Sequence, residues 1–124
     1  MNTFDEKTAA KAVKWFQQKM GIQDWAVSLE VMDDPPEWAK DRLSEDAVAG
    51  CLIDKRYKVA SVWVSPKANN ERDENCMVSL FHELIHMVLD DVDIEDDGRS
   101  DREFVWDRLA GIMADLYNKE RRKT

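Results

Sequence analysis

Long apolar runs are missing from this chain. No stretch approaches the roughly 20 consecutive residues that span a bilayer, and residues 1–20 are charged and amphipathic where a secretory leader would be apolar. A membrane is therefore not an expected partner, and the cytoplasm is the expected compartment. Cysteine is scarce: Cys51 and Cys76 stand alone with no CxxC pair. A disulfide framework is excluded, and both read as reduced core residues rather than metal ligands. Basic charge is short as well. The 18 Lys and Arg against 26 Asp and Glu leave a net charge of -8, a field that repels phosphate backbones and anionic lipid, so nucleic acid is not an expected partner. The single basic run, Lys119-Glu120-Arg121-Arg122-Lys123, reads as a solvated helix end whose cations suit the helix dipole.

What remains is enough for one domain spanning 1–124. Hydrophobic residues make up 44% of the chain, five of them Trp, and 35% of residues are charged, so a single modest core can form beneath a charged coat. Thr3-Phe4-Asp5-Glu6 has the form of a capping box, and Ala9, Ala10, Val13, Phe16 and Met20 follow at helical spacing until Gly21. From Trp25 to Met32 the period becomes two, with Trp25, Val27, Leu29 and Val31 on one face. Asp33-Asp34-Pro35-Pro36 breaks that strand. Two apolar runs, 47–54 and 58–65, flank Lys55-Arg56-Tyr57 as a hairpin that ends at Ser65-Pro66. The polar segment 67–75 holds a helix N-terminus, with Asn70, Asp73 and Asn75 as candidate caps. Helices over about 74–90 and 101–120 complete an α+β pattern, joined by the acidic loop Asp90 to Ser100.

The first of these two helices carries the chemistry. Nearly every residue from Cys76 to Leu89 is apolar, which predicts a central helix covered on most sides. The exceptions, Ser79, His82, Glu83 and His86, fall at i, i+3, i+4 and i+7 and so form one polar stripe. The chain has only two histidines, and both stand here, one helical turn apart. That spacing lets two imidazole nitrogens reach a single tetrahedral zinc ion. Glu83 shares the face but is poorly placed to join them as a ligand. Its carboxylate is instead placed to take a proton from a water in an open coordination position. The plain structural reading of the pair is two satisfied core histidines.

A catalytic zinc takes three protein ligands and a water. With no other histidine downstream, a carboxylate must supply the third, and Asp90, Asp91, Asp93, Glu95, Asp96, Asp97, Asp101, Glu103 and Asp107 are all candidates. Asp93 to Gly98 partly matches a calcium loop, but position 12 is Phe104 where a bidentate Glu is required.

His82-Glu83-x-x-His86, followed 17 residues later by Glu103-Phe104-Val105-Trp106-Asp107, resembles the HExxH and ExxxD pattern of the gluzincin metallopeptidases. The element order is similar to that of their small single-domain members, the minigluzincins. The resemblance implies a zincin-like α+β fold with an N-terminal helix, a small sheet of three to four strands, an active-site helix and a C-terminal glutamate helix. It implies Zn2+ as cofactor, Glu103 as third ligand beside His82 and His86, and Asp107 as the acceptor that orients His82. Positions 103 and 107 share a stripe with Ala110 and Ala114, where small side chains allow close helix approach. Ser100-Asp101-Arg102-Glu103 also has capping-box form, which would give Glu103 a purely structural task.

The expected activity is hydrolysis of peptide bonds in a peptide or protein substrate, by a zinc-activated water with Glu83 as general base. The alternative is a zinc-binding, non-catalytic interaction module that retains the metallopeptidase fold. In the related families the substrate pairs with a sheet edge near the metal, and Lys58 to Val64 is the strand nominated here. The oxyanion-stabilising His or Tyr of larger gluzincins has no counterpart at a matching position: Tyr117 lies about 21 Å along the helix from Glu103, and Tyr57, Arg102 and Arg108 are not selected by spacing.

Overall fold

The computed structural model describes residues 4–43, 46–89 and 99–122, the last of these by side chain from 105 onward. Five helices and three strands run in the order α1 Glu6–Met20, β1 Ala26–Val31, α2 Glu37–Lys40, β2 Ala49–Asp54, β3 Val59–Val64, α3 Pro66–Glu71, α4 Cys76–Leu89 and α5 Arg99–Arg122. The class is α+β.

Helix α1 starts two residues later than Thr3-to-Glu6 capping would place it. Asp5 is the N-cap, its Oδ1 accepting the Thr8 N–H at 2.8 Å. A carboxylate there satisfies an orphan donor and faces the positive end of the helix dipole, so it outcompetes an upstream threonine. At the other end Gly21 takes φ 69°, a left-handed conformation that only glycine adopts without strain, and closes the helix as its spacing predicts. Gln17 Nε2 donates to the carbonyls of Ile22 (3.1 Å) and Trp25 (2.9 Å), stapling the turn into β1.

The strands form one sheet in the order β1-β3-β2, with β1 parallel and β2 antiparallel to β3. The hairpin is as expected, except that Lys58 sits in the turn with φ 53°, and its ammonium holds Asp24 Oδ2 at 2.6 Å. The topology overturns one expectation. β3, the strand nominated to receive a peptide, is hydrogen-bonded on both sides and has no free edge. The reason lies in its composition: Val59-Ala60-Ser61-Val62-Trp63-Val64 is apolar on both faces, as a central strand covered above and below must be. Among the described residues the outer edge of β2 pairs with no strand.

Ala60, Val62 and Val64 face one side of the sheet, where α1 and α4 pack and α5 lies against α4. Phe81 on α4 is fully buried at the junction of these helices, with Trp15 and Phe16 of α1 and Tyr117 of α5 at ring-centroid distances of 5.7, 6.0 and 6.0 Å. Trp15 Nε1 donates to Glu120 Oε2 at 3.0 Å and ties α1 to α5. The opposite face has a smaller cover, which sequence periodicity did not predict. Short helix α2, Leu43 and Trp63 form it, and Trp38 Nε1 donates across it to Glu30 Oε1 at 3.0 Å. Gly50, paired with Trp63, lies directly beneath Leu43: a Cβ there would meet Leu43 Cδ1 at 2.4 Å.

Candidate metal centre

Helix α4 is fixed at its start, back and side before its polar stripe comes into play. Asn75, one of three candidate caps, accepts the N–H groups of Met77 (2.8 Å) and Val78 (3.2 Å). Ser65, which sequence spacing marked only as a strand end, caps α3 with Pro66 as the first helical residue. Ser-Pro at that position is itself a helix-start signal and could have been read as one. The back of α4 is the apolar core through Leu80, Phe81 and Leu84, all fully buried.

Ser79 leaves the polar stripe for a structural task. Its hydroxyl donates to Asn69 Oδ1 at 2.6 Å, and Asn69 Nδ2 donates to the carbonyls of Val48 (3.1 Å) and Ser65 (2.7 Å). Ser65 Oγ in turn donates to the Asp33 carbonyl at 2.8 Å. Buried polar groups must find partners, and this chain of hydrogen bonds ties α4 to α3 and to the start of β2.

The remaining stripe residues, His82, Glu83 and His86, are half-buried on the front of α4. His82 Nδ1 lies 2.7 Å from Asp107 Oδ1 on α5. With Nδ1–H donating to that carboxylate, the neutral ring presents a lone pair at Nε2. His86 Nε2 lies 3.2 Å from that same atom. Two nitrogens bound to one tetrahedral zinc at 2.0–2.1 Å stand about 3.3–3.4 Å apart, so the two rings already converge as a shared ion requires. Without an ion the same contact is a hydrogen bond from His86 Nε2–H to His82 Nε2. The donor set, two imidazoles with one held in the correct tautomer by a carboxylate, fits zinc.

Asp107 reaches His82 because α5 presses its small residues onto α4: Ala110 and Ala114 are buried there. α5 begins at Arg99, so Ser100 falls inside the helix rather than before it. Position 103 lies on α5 one turn before Asp107, and its side chain is outside the described residues, as is the acidic segment 90–98. Among the described residues no three His, Cys, Asp or Glu side chains gather as a metal cluster. Both cysteines are half-buried thiols outside any disulfide, and burial holds Cys76 above its ordinary pKa of 9.0, away from the thiolate form that binds metals.

A cleft of about 380 Å³ opens over the stripe, lined by Val48, Ala49, Glu74, Asn75, Val78, Ser79, His82, Glu83 and Asp107. It runs from the N-cap of α4 to Glu83, with the start of β2 along one wall. Val48, Ala49, Glu74 and Val78 were not singled out from sequence, yet the stripe points to two of them: 78 and 74 continue the i-4 ladder back from His82. None of the cleft-lining residues is a Lys, Arg or Tyr. Tyr117 is buried in the aromatic cluster, and Tyr57 is 70% exposed on the hairpin turn, beyond the end of β2 opposite to the cleft. A second concavity of about 300 Å³, beside Trp63 and Leu43, contains no histidine. No helix among the described residues is long and apolar enough to cross a membrane. Comparison with known protein families, with curated proteins and with solved structures gives no match.

Proposed function

We propose that this chain is a zinc-dependent metallopeptidase of the gluzincin type, with a zincin-like arrangement of α4, α5 and the sheet. The observation that carries the reading is the meeting of His82 Nε2 and His86 Nε2 at 3.2 Å while Asp107 holds the far side of His82 at 2.7 Å. Two core histidines satisfied for structural reasons alone have no need to aim their nitrogens at each other beside an open cleft. His82, His86 and Glu103 would hold the zinc, the last assigned by its spacing from Asp107 in the ExxxD pattern.

A zinc ion held there supplies Lewis acidity, polarising an amide carbonyl and making water a usable nucleophile at neutral pH. Glu83 lines the cleft on the same face as the histidines. Its carboxylate takes the proton from the attacking water and passes it to the leaving amine, so no covalent intermediate is required. Asp107 accepts from His82 Nδ1–H, which keeps the ring in the tautomer and orientation that bind metal. The outer edge of β2, which pairs with no strand among the described residues, begins at Ala49 on the cleft wall, and an extended substrate would align there by main-chain hydrogen bonds.

The test compares wild type with Glu83→Gln on a mixed peptide library, with metal content measured by mass spectrometry. Hydrolysis by wild type alone, at about one zinc per chain in both, is the expected result. Wild type and His82→Ala carrying equal zinc would sink the metal site. Zinc in both proteins without cleavage by either would leave the non-catalytic zinc-binding module.

A further inference from the structure

We infer that α5 carries a self-association surface, on which a second copy of this chain packs antiparallel about a two-fold axis. Val105, Leu109, Ile112 and Leu116 recur along the helix at spacings of four, three and four. That rhythm sets them on one narrow stripe, the kind of seam by which two helices interlock. The stripe lies on a different side of α5 from Trp106, Ala110 and Ala114, which are buried against α4. Ile112 is 55% exposed and Leu116 47%, while Val105 and Leu109 are half-buried. A contiguous row of branched aliphatic side chains left in water marks a contact surface.

The charges beside the stripe select both the partner and its direction. Arg108 and Asp115, seven residues apart on one flank, are both exposed. Antiparallel packing sets Leu109 against Ile112 of the second copy and Val105 against Leu116 of that copy. The same register brings Arg108 opposite Asp115 of the second copy, and the two-fold axis repeats the pair. The sequence extends the alternation in both directions, with Asp at 101 and Arg at 122, so the flank is complementary to its own reverse. Parallel packing would instead set Asp115 beside Glu120, acid against acid. Among the described residues no ion pair or side-chain hydrogen bond engages Asp115. Arg108 has a contact within its own chain, and the five donors of a guanidinium can serve a second acceptor. Self-complementarity is what a two-fold contact between identical chains requires, whereas an unrelated partner needs none.

The stripe ends at positions 102 and 119, which carry Arg and Lys, so the apolar seam from 105 to 116 is about 17 Å long at 1.5 Å per residue. A contact that short lies at the small end of protein interfaces, and the dimer forms at micromolar or higher concentration. Position 107 is on the far side of α5 from the stripe by helical geometry, so pairing leaves the cleft open.

Sedimentation velocity on the whole chain, from micromolar to submillimolar concentration, tests the inference. Wild type is expected to pass from monomer to dimer, and Ile112→Glu to remain monomeric with an unchanged circular dichroism spectrum. Arg108→Asp and Asp115→Arg each convert two ion pairs into two repulsions at exposed positions that the fold does not depend on. Each is expected to weaken dimerisation about tenfold, and mixing the two variants to restore it, because the two chains are then complementary. Wild type that stays monomeric throughout, or a dimer untouched by Ile112→Glu, overturns the inference. A dimer indifferent to both charge reversals, or weakened by them without rescue in the mixture, overturns it as well, since the antiparallel register demands both effects.

Discussion

Removing the Asp107 carboxylate probes the proposed metal centre without touching one of its assigned ligands. The His82 side chain is 14% exposed and that of Asp107 67% exposed, so the imidazole is enclosed while its acceptor stands largely in water. Loss of such an orienting partner weakens metal affinity about 10–100-fold. Water can partly replace an exposed acceptor, so Asp107→Ala should fall at the weak end, about tenfold, equivalent to about 1.4 kcal/mol. Asp107→Asn, whose amide oxygen still accepts a hydrogen bond, should lie between the two. Competition against a chromophoric chelator, at fixed pH and ionic strength, gives the three constants. Because deleting any acid from a protein of net charge -8 weakens cation binding somewhat, Asp115→Ala is the control: it is exposed on the same helix and does not line the cleft. Equal affinities for Asp107→Ala and Asp115→Ala would refute the orienting role, and the hydrogen bond to His82 would then be incidental.

Four further outcomes are expected. Ser79→Ala should cost about 1–3 kcal/mol in urea denaturation by stranding the buried Asn69 Oδ1, while zinc affinity stays within twofold; a large affinity loss would return Ser79 to the site. Phe81→Ala should cost about 3–5 kcal/mol, since it removes the fully buried ring at the centre of the aromatic cluster, and a loss below about 1 kcal/mol would mean the cluster does not hold the helices together. Gly50→Val should destabilise by about 1–3 kcal/mol through its clash with Leu43, and Leu43→Ala should relieve part of that; additive losses would place the strain elsewhere. The hydrogen bond from the Thr8 N–H holds the Asp5 carboxyl below its ordinary value of 3.8, and the one from the Lys58 ammonium does the same for Asp24. Depressed carboxylates stabilise the fold fully above that ordinary value and lose the contribution as pH falls through the lowered one. Asp5→Ala and Asp24→Ala should therefore flatten the acid limb of the stability curve and leave its shape near neutral pH unchanged; an unaltered acid limb would exclude both.

Much of this architecture was legible in the sequence because its signals are local. Helical spacing and Gly21 delimit α1, period two marks β1, and the i, i+3, i+4, i+7 stripe marks α4 as the bearer of the histidines. Strand order was not legible, since hydrogen-bond partners across a sheet are set by tertiary packing. Only the two-sided apolar character of β3 hinted that it is central. The outer cover was missed because a four-residue helix after two prolines has no periodicity to detect. Within the site, the His82-to-Asp107 pairing followed from the motif, but the structural task of Ser79 did not. Its place on the stripe only grouped it with the histidines, and the partner that claims it, Asn69 on α3, is a polar residue whose burial no local pattern reveals.

The layered build also divides the indoles between two optical compartments. Trp38 and Trp63 belong to the thin cover outside the sheet, whereas Trp15 and Trp106 lie with the helices on the other side. Variants retaining one indole at a time would therefore separate a local lifting of the cover, seen as a red shift at Trp38 and Trp63 but not at Trp15 or Trp106, from global melting reported by all of them together.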